Sequence, residues 1–384
     1  MPSKRTFAKR LAALAATGLG VGGPIDALTT EPPPDGTLAV DPVAARAESS
    51  GGETGSDGVA STSDEPRSAV AAGTYDPAAA ASSAVDTVVT GRVDPAALTA
   101  TGLPSGIGGR LRRLIDRYES VSLAAVRQAT GGAALTADGV EGCAVAVGDV
   151  DAAALTAELD ADPDAVREAD DGSGFARFRA RGLGSAVAVA SDELVAGYGP
   201  SAAVAAAHRD AGVGERVDGG TRRQAGTTAS YGPLPSLLGG DATVCVDLGP
   251  DARDHLRSVL ADAPDELRTA VDASGAVGAS LRVTDEKAAT GTDASGDASD
   301  DGDAEDPSVA LRYGAVADPR RLDRETAEAI ARAAREGDPS LSDASVARHG
   351  RTVIVDAAAE RDLFAAHASL FDGSVGDPIK VADA

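Results

Sequence analysis

At 384 residues the chain is long enough for two or three domains and a sizeable core. Its apolar residues (43%) are chiefly Ala and Val, aromatics make up only 3%, and 60 acidic against 35 basic residues leave a formal charge of −25. That field repels a phosphate backbone, and so few aromatic rings offer single strands little to stack on, so nucleic acid is excluded as a partner.

The N-terminus reads Ser3-Lys4-Arg5-Thr6-Phe7-Ala8-Lys9, followed by a mildly apolar Ala/Gly-rich run from Leu11 to Val21. It resembles a twin-arginine export signal, Ser/Thr-Arg-Arg-x-Phe-Leu-Lys, through Ser3, Lys4, Arg5, Phe7 and Lys9. Lys4 replaces the first Arg and Ala8 the Leu. The apolar run falls short of the ~18–20 residues that a spanning helix needs, so no transmembrane helix is expected. The resemblance implies that residues 1–24 send an already folded chain out of the cell. The other reading of the same residues is a basic N-terminal helix on a cytoplasmic protein. Residues 25–84 are rich in Pro, Gly, Ser, Asp and Glu. Such a composition buries too little apolar surface to offset its ordering entropy and predicts a disordered acidic spacer.

Past Ala84 the texture changes. Asp86–Asp94 reads as a strand, followed by a helix start at Pro95 and a second helical run near Leu111, Leu114 and Ile115. Two strand-like runs follow, then a helix after Asp151 as N-cap, hairpins turning at Asp171-Gly172 and Ser191-Asp192, and a helix ending at Gly212. The order restarts at Asp241 with a strand to Gly249, a helical stretch broken at Pro264, two strands, a helix, a strand pair turning at Gly350, and a last helix. The openings DTVVTGRVDPAAL and DATVCVDLGPDARDHL match best, as in a diverged duplication. The expected fold class is therefore α+β: two tandem modules, 85–240 and 241–384, each β-α-β-β-α-β like a ferredoxin-type split βαβ unit, with antiparallel sheets carrying helices on one face. An acidic loop, 288–306, interrupts the second module.

Nothing in the sequence assembles a catalytic, metal or cofactor site. His208, His255 and His349 stand beside charged residues and His367 lies in an Ala-rich helix, none with a second His or Cys at ligand spacing. Asp297–Gly302 imitates the start of a calcium loop, but the position that would need Glu holds Ser308. Gly197–Ala202, GYGPSA, resembles a dinucleotide fingerprint, yet it follows hairpins rather than a βαβ unit, and Pro200 removes a donor. Cys143 and Cys245 fall in strand-like runs; outside the cell they could form one disulfide, or each could serve as a small apolar residue.

Lys occurs only at positions 4, 9, 287 and 380, so Arg supplies nearly all the positive charge. Acid-rich, Lys-poor and Ala-rich, the chain resembles haloarchaeal proteins, whose carboxylate surfaces stay hydrated while molar salt confines their repulsion to about 3 Å. With the signal, the spacer and the runs at Ala144–Leu159, Ala186–Gly199 and Ala202–Gly212, it resembles uncharacterised haloarchaeal exported proteins with paired α+β modules. The function expected is non-enzymatic binding or scaffolding at the cell surface, the alternative a secreted hydrolase whose site is assembled from Asp, Glu and His distant in sequence.

Overall fold

The computed structural model describes residues 66–95, 97–98, 117–169, 172–181, 184–214, 232–259, 265–284, 308–317, 320, 328 and 341–359. The signal residues Ser3, Lys4, Arg5, Phe7 and Lys9, the acidic loop 288–306, the helix expected after Pro319 (apart from Arg320 and Glu328) and His367 lie outside them.

The fold begins earlier than the composition implies. A short helix, α1 (Pro77–Ala80), starts with Asp76 accepting from the Ala78 and Ala79 N–H groups, and Pro at its first turn. Strand β1 (Val85–Val93) follows, rich in β-branched residues. It pairs with β2 (Val126–Thr136), which hairpins into β3 (Gly139–Gly148). Asp151 caps α2 (Ala152–Ala161) as the sequence predicts. Then come β4 (Ala165–Arg167), β5 (Ala176–Ala180), β6 (Ser185–Val189) and β7 (Glu193–Tyr198). Helix α3 (Ala202–Val213) runs past Gly212 and stops at Gly214, whose φ of 76° is one that glycine adopts without strain. After α4 (Leu234–Leu238) come β8 (Ala242–Asp247), α5 (Pro250–Val259), α6 (Asp265–Ala273), β9 (Ser274–Thr284), β10 (Ser308–Ala317), β11 (Leu341–His349) and β12 (Thr352–Ala359).

These strands do not form two modules. Among the described residues they make one twelve-stranded sheet, ordered β11-β12-β10-β9-β8-β1-β2-β3-β7-β6-β5-β4, with every neighbouring pair antiparallel. The expected pair of ferredoxin-like modules is thereby corrected. The physical reason lies at the seam, where β1 and β8, the opening strands of the two halves, pair with Thr90 opposite Cys245. Separate modules would leave both as exposed edges with unpaired backbone groups; joining them removes two edges at once. Outward from the seam both halves use one scheme, β1-β2-β3-β7-β6 and β8-β9-β10-β12-β11, with β5 and β4 extending the first.

The paired registers define a row on one sheet face: Ile354, Gly314, Gly278, Cys245, Thr90, Gly132, Cys143, Gly197. The missing side chains let covering elements seat directly on the strands. Leu234 and Leu238 of α4 press on Gly278 and Gly314, the Tyr75 ring on Gly132, and α3 on Gly197. The opposite face carries the α2 cluster of Leu155, Leu159, Phe178, Val187 and Val189, and the α6 cluster of Ala270, Ala273, Ala317 and Val353. Asp86 of β1 ties the halves together by accepting from the Asp251 and Ala252 N–H groups of α5, at 3.0 and 3.3 Å. Burial opposes the Asp86 charge, but hydrogen bonds from Thr87, Asp251 and Ala252 prevail and hold its carboxyl below the usual range.

A Cβ on Gly197 would overlap the Ala205 carbonyl oxygen and reach to 2.5 Å from the Arg209 nitrogen, both main-chain atoms that cannot swing aside. Gly197→Ala should therefore lift α3 and cost about 1–3 kcal/mol, read as a lower thermal midpoint. An unchanged midpoint would mean that α3 does not seat as described.

Candidate functional site

The sheet face under α3 carries two carboxylates with almost no solvent exposure: Glu141 of β3 (0%) and Glu193 of β7 (1%). Both grip the segment 66–84, which crosses this face as a strap ahead of β1. Glu193 Oε1 accepts from the Arg67 N–H at 2.6 Å and its Oε2 from the Ser68 N–H at 2.9 Å. Glu141 Oε1 accepts from the Ser82 N–H at 2.8 Å and from the Ser82 hydroxyl at 3.1 Å. Between these ends the Ala69 and Val70 N–H groups donate to the Val213 and Gly212 carbonyls at the end of α3, and Val70 joins the core of Cys143, Val145, Val195 and Val213. The stretch that composition assigns to the spacer is thus, from Pro66 onward, part of the packed fold.

His208, fully buried on α3, stands between strap and strand. Its Nδ1 is 2.6 Å from the Tyr75 hydroxyl and its Nε2 is 3.4 Å from Glu141 Oε2. Burial pushes the Tyr75 hydroxyl well above its usual value, reinforced by Cys143, Tyr198, Asp76 and Glu141, so it stays protonated. Burial also lowers His208, against the pull of Glu141, so the imidazole is neutral near pH 7. We therefore assign Tyr75 as donor to Nδ1 and Nε2 as the protonated nitrogen, facing the carboxylate. The 3.4 Å joint is the loose one; neither Nε2 nor Oε2 has another hydrogen-bond partner.

The chain Ser82–Glu141–His208–Tyr75 contains an acid, a base and two hydroxyls, but its central pair has no exposed side-chain surface. In this arrangement it can hold a proton and fix positions; a substrate would have to displace the strap to reach it. Stability should carry the mark of His208. Its folded pKa lies below the ordinary 6.5, so the unfolded chain binds the extra proton and stability falls as pH drops below about 6.5. The loss levels off once the folded pKa is passed. His208→Gln, which can still donate to Glu141, should flatten stability against pH between about 6.5 and 5; an unaltered slope would remove His208 as its source.

A second buried charge, Arg209, donates to the Phe178 carbonyl (2.9 Å), Glu168 (2.6 Å) and Asp210 (2.8 Å), and so pins α3 to the β5 end of the sheet. Among the other sequence candidates, Cys143 and Cys245 are both buried and are not bridged to each other. They occupy β3 and β8, which β1 and β2 separate, so their Cα atoms are about 14 Å apart. A bridge needs no more than about 7 Å, so the disulfide reading is corrected. Burial raises the Cys143 thiol far above its usual pKa, despite the nearby Arg209. Gly197 is a packing glycine under α3, and β7 lies between antiparallel β3 and β6, so GYGPSA lacks the parallel unit that a dinucleotide needs. His349 is exposed at the end of β11, and His255 lies in α5. Among the described residues no three His, Cys, Asp or Glu side chains gather as a metal site. No helix there is long and apolar enough to cross a membrane.

The cluster escaped the sequence because its members come from the strap, β3 and α3. Only Asp76-Pro77, a helix start inside the supposed spacer, signalled that the strap was structured.

No family model matches the chain, and no curated protein matches it. Among solved structures, crystal form III of TP0453 aligns at 12% identity and a TM-score of 0.37, covering 79% of this chain and 99% of that one. Crystal form I aligns at 11% identity and a TM-score of 0.36, covering 79% and 98%.

Proposed function

We propose that the chain is an exported halophilic protein whose folded part binds or scaffolds at the cell surface and performs no chemistry of its own. One observation carries this reading: the acid–base pair a hydrolase would use, Glu141 and His208, has no exposed side-chain surface and is committed to holding the strap. The strap begins where the Pro/Gly/Ser/acidic segment ends, so the folded part would hang from a tether behind the signal-like N-terminus. The hydrolase reading draws on the same pair, because His208 lies within reach of both Glu141 and Tyr75. The two readings separate on ester, amide and glycoside substrates presented at molar salt. The binding reading expects turnover no higher than that of His208→Asn, and turnover that falls with this variant would overturn it.

Localisation has its own test. A reporter fused after residue 65, so that no part of the strap is orphaned, should leave a haloarchaeal host. Changing Lys4-Arg5 to Lys-Lys should keep it inside. Retention of the reporter with the native sequence would end the export reading.

A further inference from the structure

One polar row crosses the face covered by α3, α4 and the strap, beside the glycine row: Asp356, Arg312, Ser280, Thr243, Arg92 and Thr130, each opposite the next across paired strands. Nearly every member is spoken for. Arg312 pairs with Asp356 at 2.5 Å and donates to the Leu237 carbonyl at 3.0 Å. Ser280 donates to the Leu238 carbonyl at 3.1 Å and Thr243 to the Gly239 carbonyl at 2.7 Å, while Thr130 meets the Val70 carbonyl at 3.4 Å. The covering elements, α4 on one side and the strap on the other, thus bring carbonyls to their neighbours in the row. Arg92 stands at the β1–β8 seam between the two coverings, and its Nε is shut away from solvent with no hydrogen-bond partner. Among the described residues no carboxylate pairs with it, although acidic residues outnumber basic ones 60 to 35. Asp241, two residues before Thr243, spends its carboxylate on the Val283 N–H at 2.8 Å.

A guanidinium that is partly out of water and unpaired carries a desolvation cost that a bound anion would offset, and its planar donors fit an oxyanion. We infer that the guanidinium of Arg92, at the β1–β8 seam, binds a small oxyanion. Arg92 remains partly exposed, so the approach is from solvent.

Saturation tests the site, because a bound ligand stabilises as the logarithm of its concentration and levels with occupancy of Arg92, whereas a general salt effect acts on every variant alike. The full chain in 2 M KCl is titrated to tens of millimolar with potassium acetate in one arm and inorganic phosphate in the other. The thermal midpoint should rise by about 2–6 °C, curving toward a plateau. Response to acetate alone assigns the site to carboxylates, and response to phosphate alone to tetrahedral anions. Arg92→Gln should abolish the rise and Arg92→Lys, which keeps the charge and guards against a folding defect in the first variant, should retain part of it. No rise in the native chain, or an equal rise in Arg92→Gln, overturns the site.

Discussion

Replacing Glu141 with alanine should cost the fold about 3–5 kcal/mol, the price of deleting one partner from a buried charged network. The Ser82 N–H and hydroxyl both lose an ionised acceptor, at about 1.5–3 kcal/mol per charge-assisted bond, and the His208 Nε2 proton is left facing a void. A domain of this size should show a fall of the order of 10 °C in thermal midpoint. Glu141→Gln should cost less, about 1–2 kcal/mol. Its amide oxygen still accepts from Ser82, and its NH2 can donate to Nε2 if the imidazole changes tautomer and Nδ1–H donates to the Tyr75 oxygen. The ordering Ala below Gln below native is the distinguishing result. Equal losses for both variants would show that the ionised carboxylate, which glutamine lacks, and not its volume or its neutral hydrogen bonds, is what Glu141 supplies.

Lowering the salt should have an effect larger still. With 60 acidic and 35 basic residues, twenty-five carboxylates have no compensating cation in the chain. Ion pairs such as Arg127–Asp149 and Arg257–Asp254 sit in solvent, with 88% and 72% of the Asp side chains exposed, and contribute little net stability. At molar salt the excess repulsion reaches about 3 Å; at 0.01 M it reaches about 30 Å and acts across the whole sheet. The core opposing it is built largely from Ala and Val, which bury less area per residue than Leu or Phe at about 25 cal/mol per Å². The fold should loosen below roughly 0.5 M salt, where the screening length is still a few ångströms, and recover when KCl is restored. Circular dichroism against salt measures this, and a spectrum and midpoint unchanged down to millimolar salt would contradict the halophilic reading.

Much of the chain was legible one element at a time. The Asp151 cap, the hairpin turning at Ser191-Asp192 and the turn at Gly350, with its φ of 62°, all rest on residues that act on their immediate neighbours. The similar openings of the two halves were visible too, and they lie side by side as β1 and β8. What the strings could not show is that such openings pair with each other, because alternation marks a strand's faces and not the identity of its neighbour. The Tyr75–His208 contact, 133 residues apart, is nonlocal in the same way. Composition also misled, because the strap, rich in Ala and Ser with Pro66 and Pro77, was read together with the Pro/Gly/Ser/acidic residues before it. Two buried carboxylates order it together with its own Val70 and Tyr75 side chains.

The strap also sets a sequence of events in folding. Its partners at Glu193 and His208 lie 125 to 133 residues further along the chain, so every one of those bonds closes a very large loop. Contacts of that span form late, after the hairpins have assembled. Without the strap, the Glu141 and Glu193 carboxylates would need water in place of the Arg67, Ser68 and Ser82 N–H groups. Closure of the strap joins the N-terminal end of the described fold to β7 and α3, so that end is fixed only once those elements are in place.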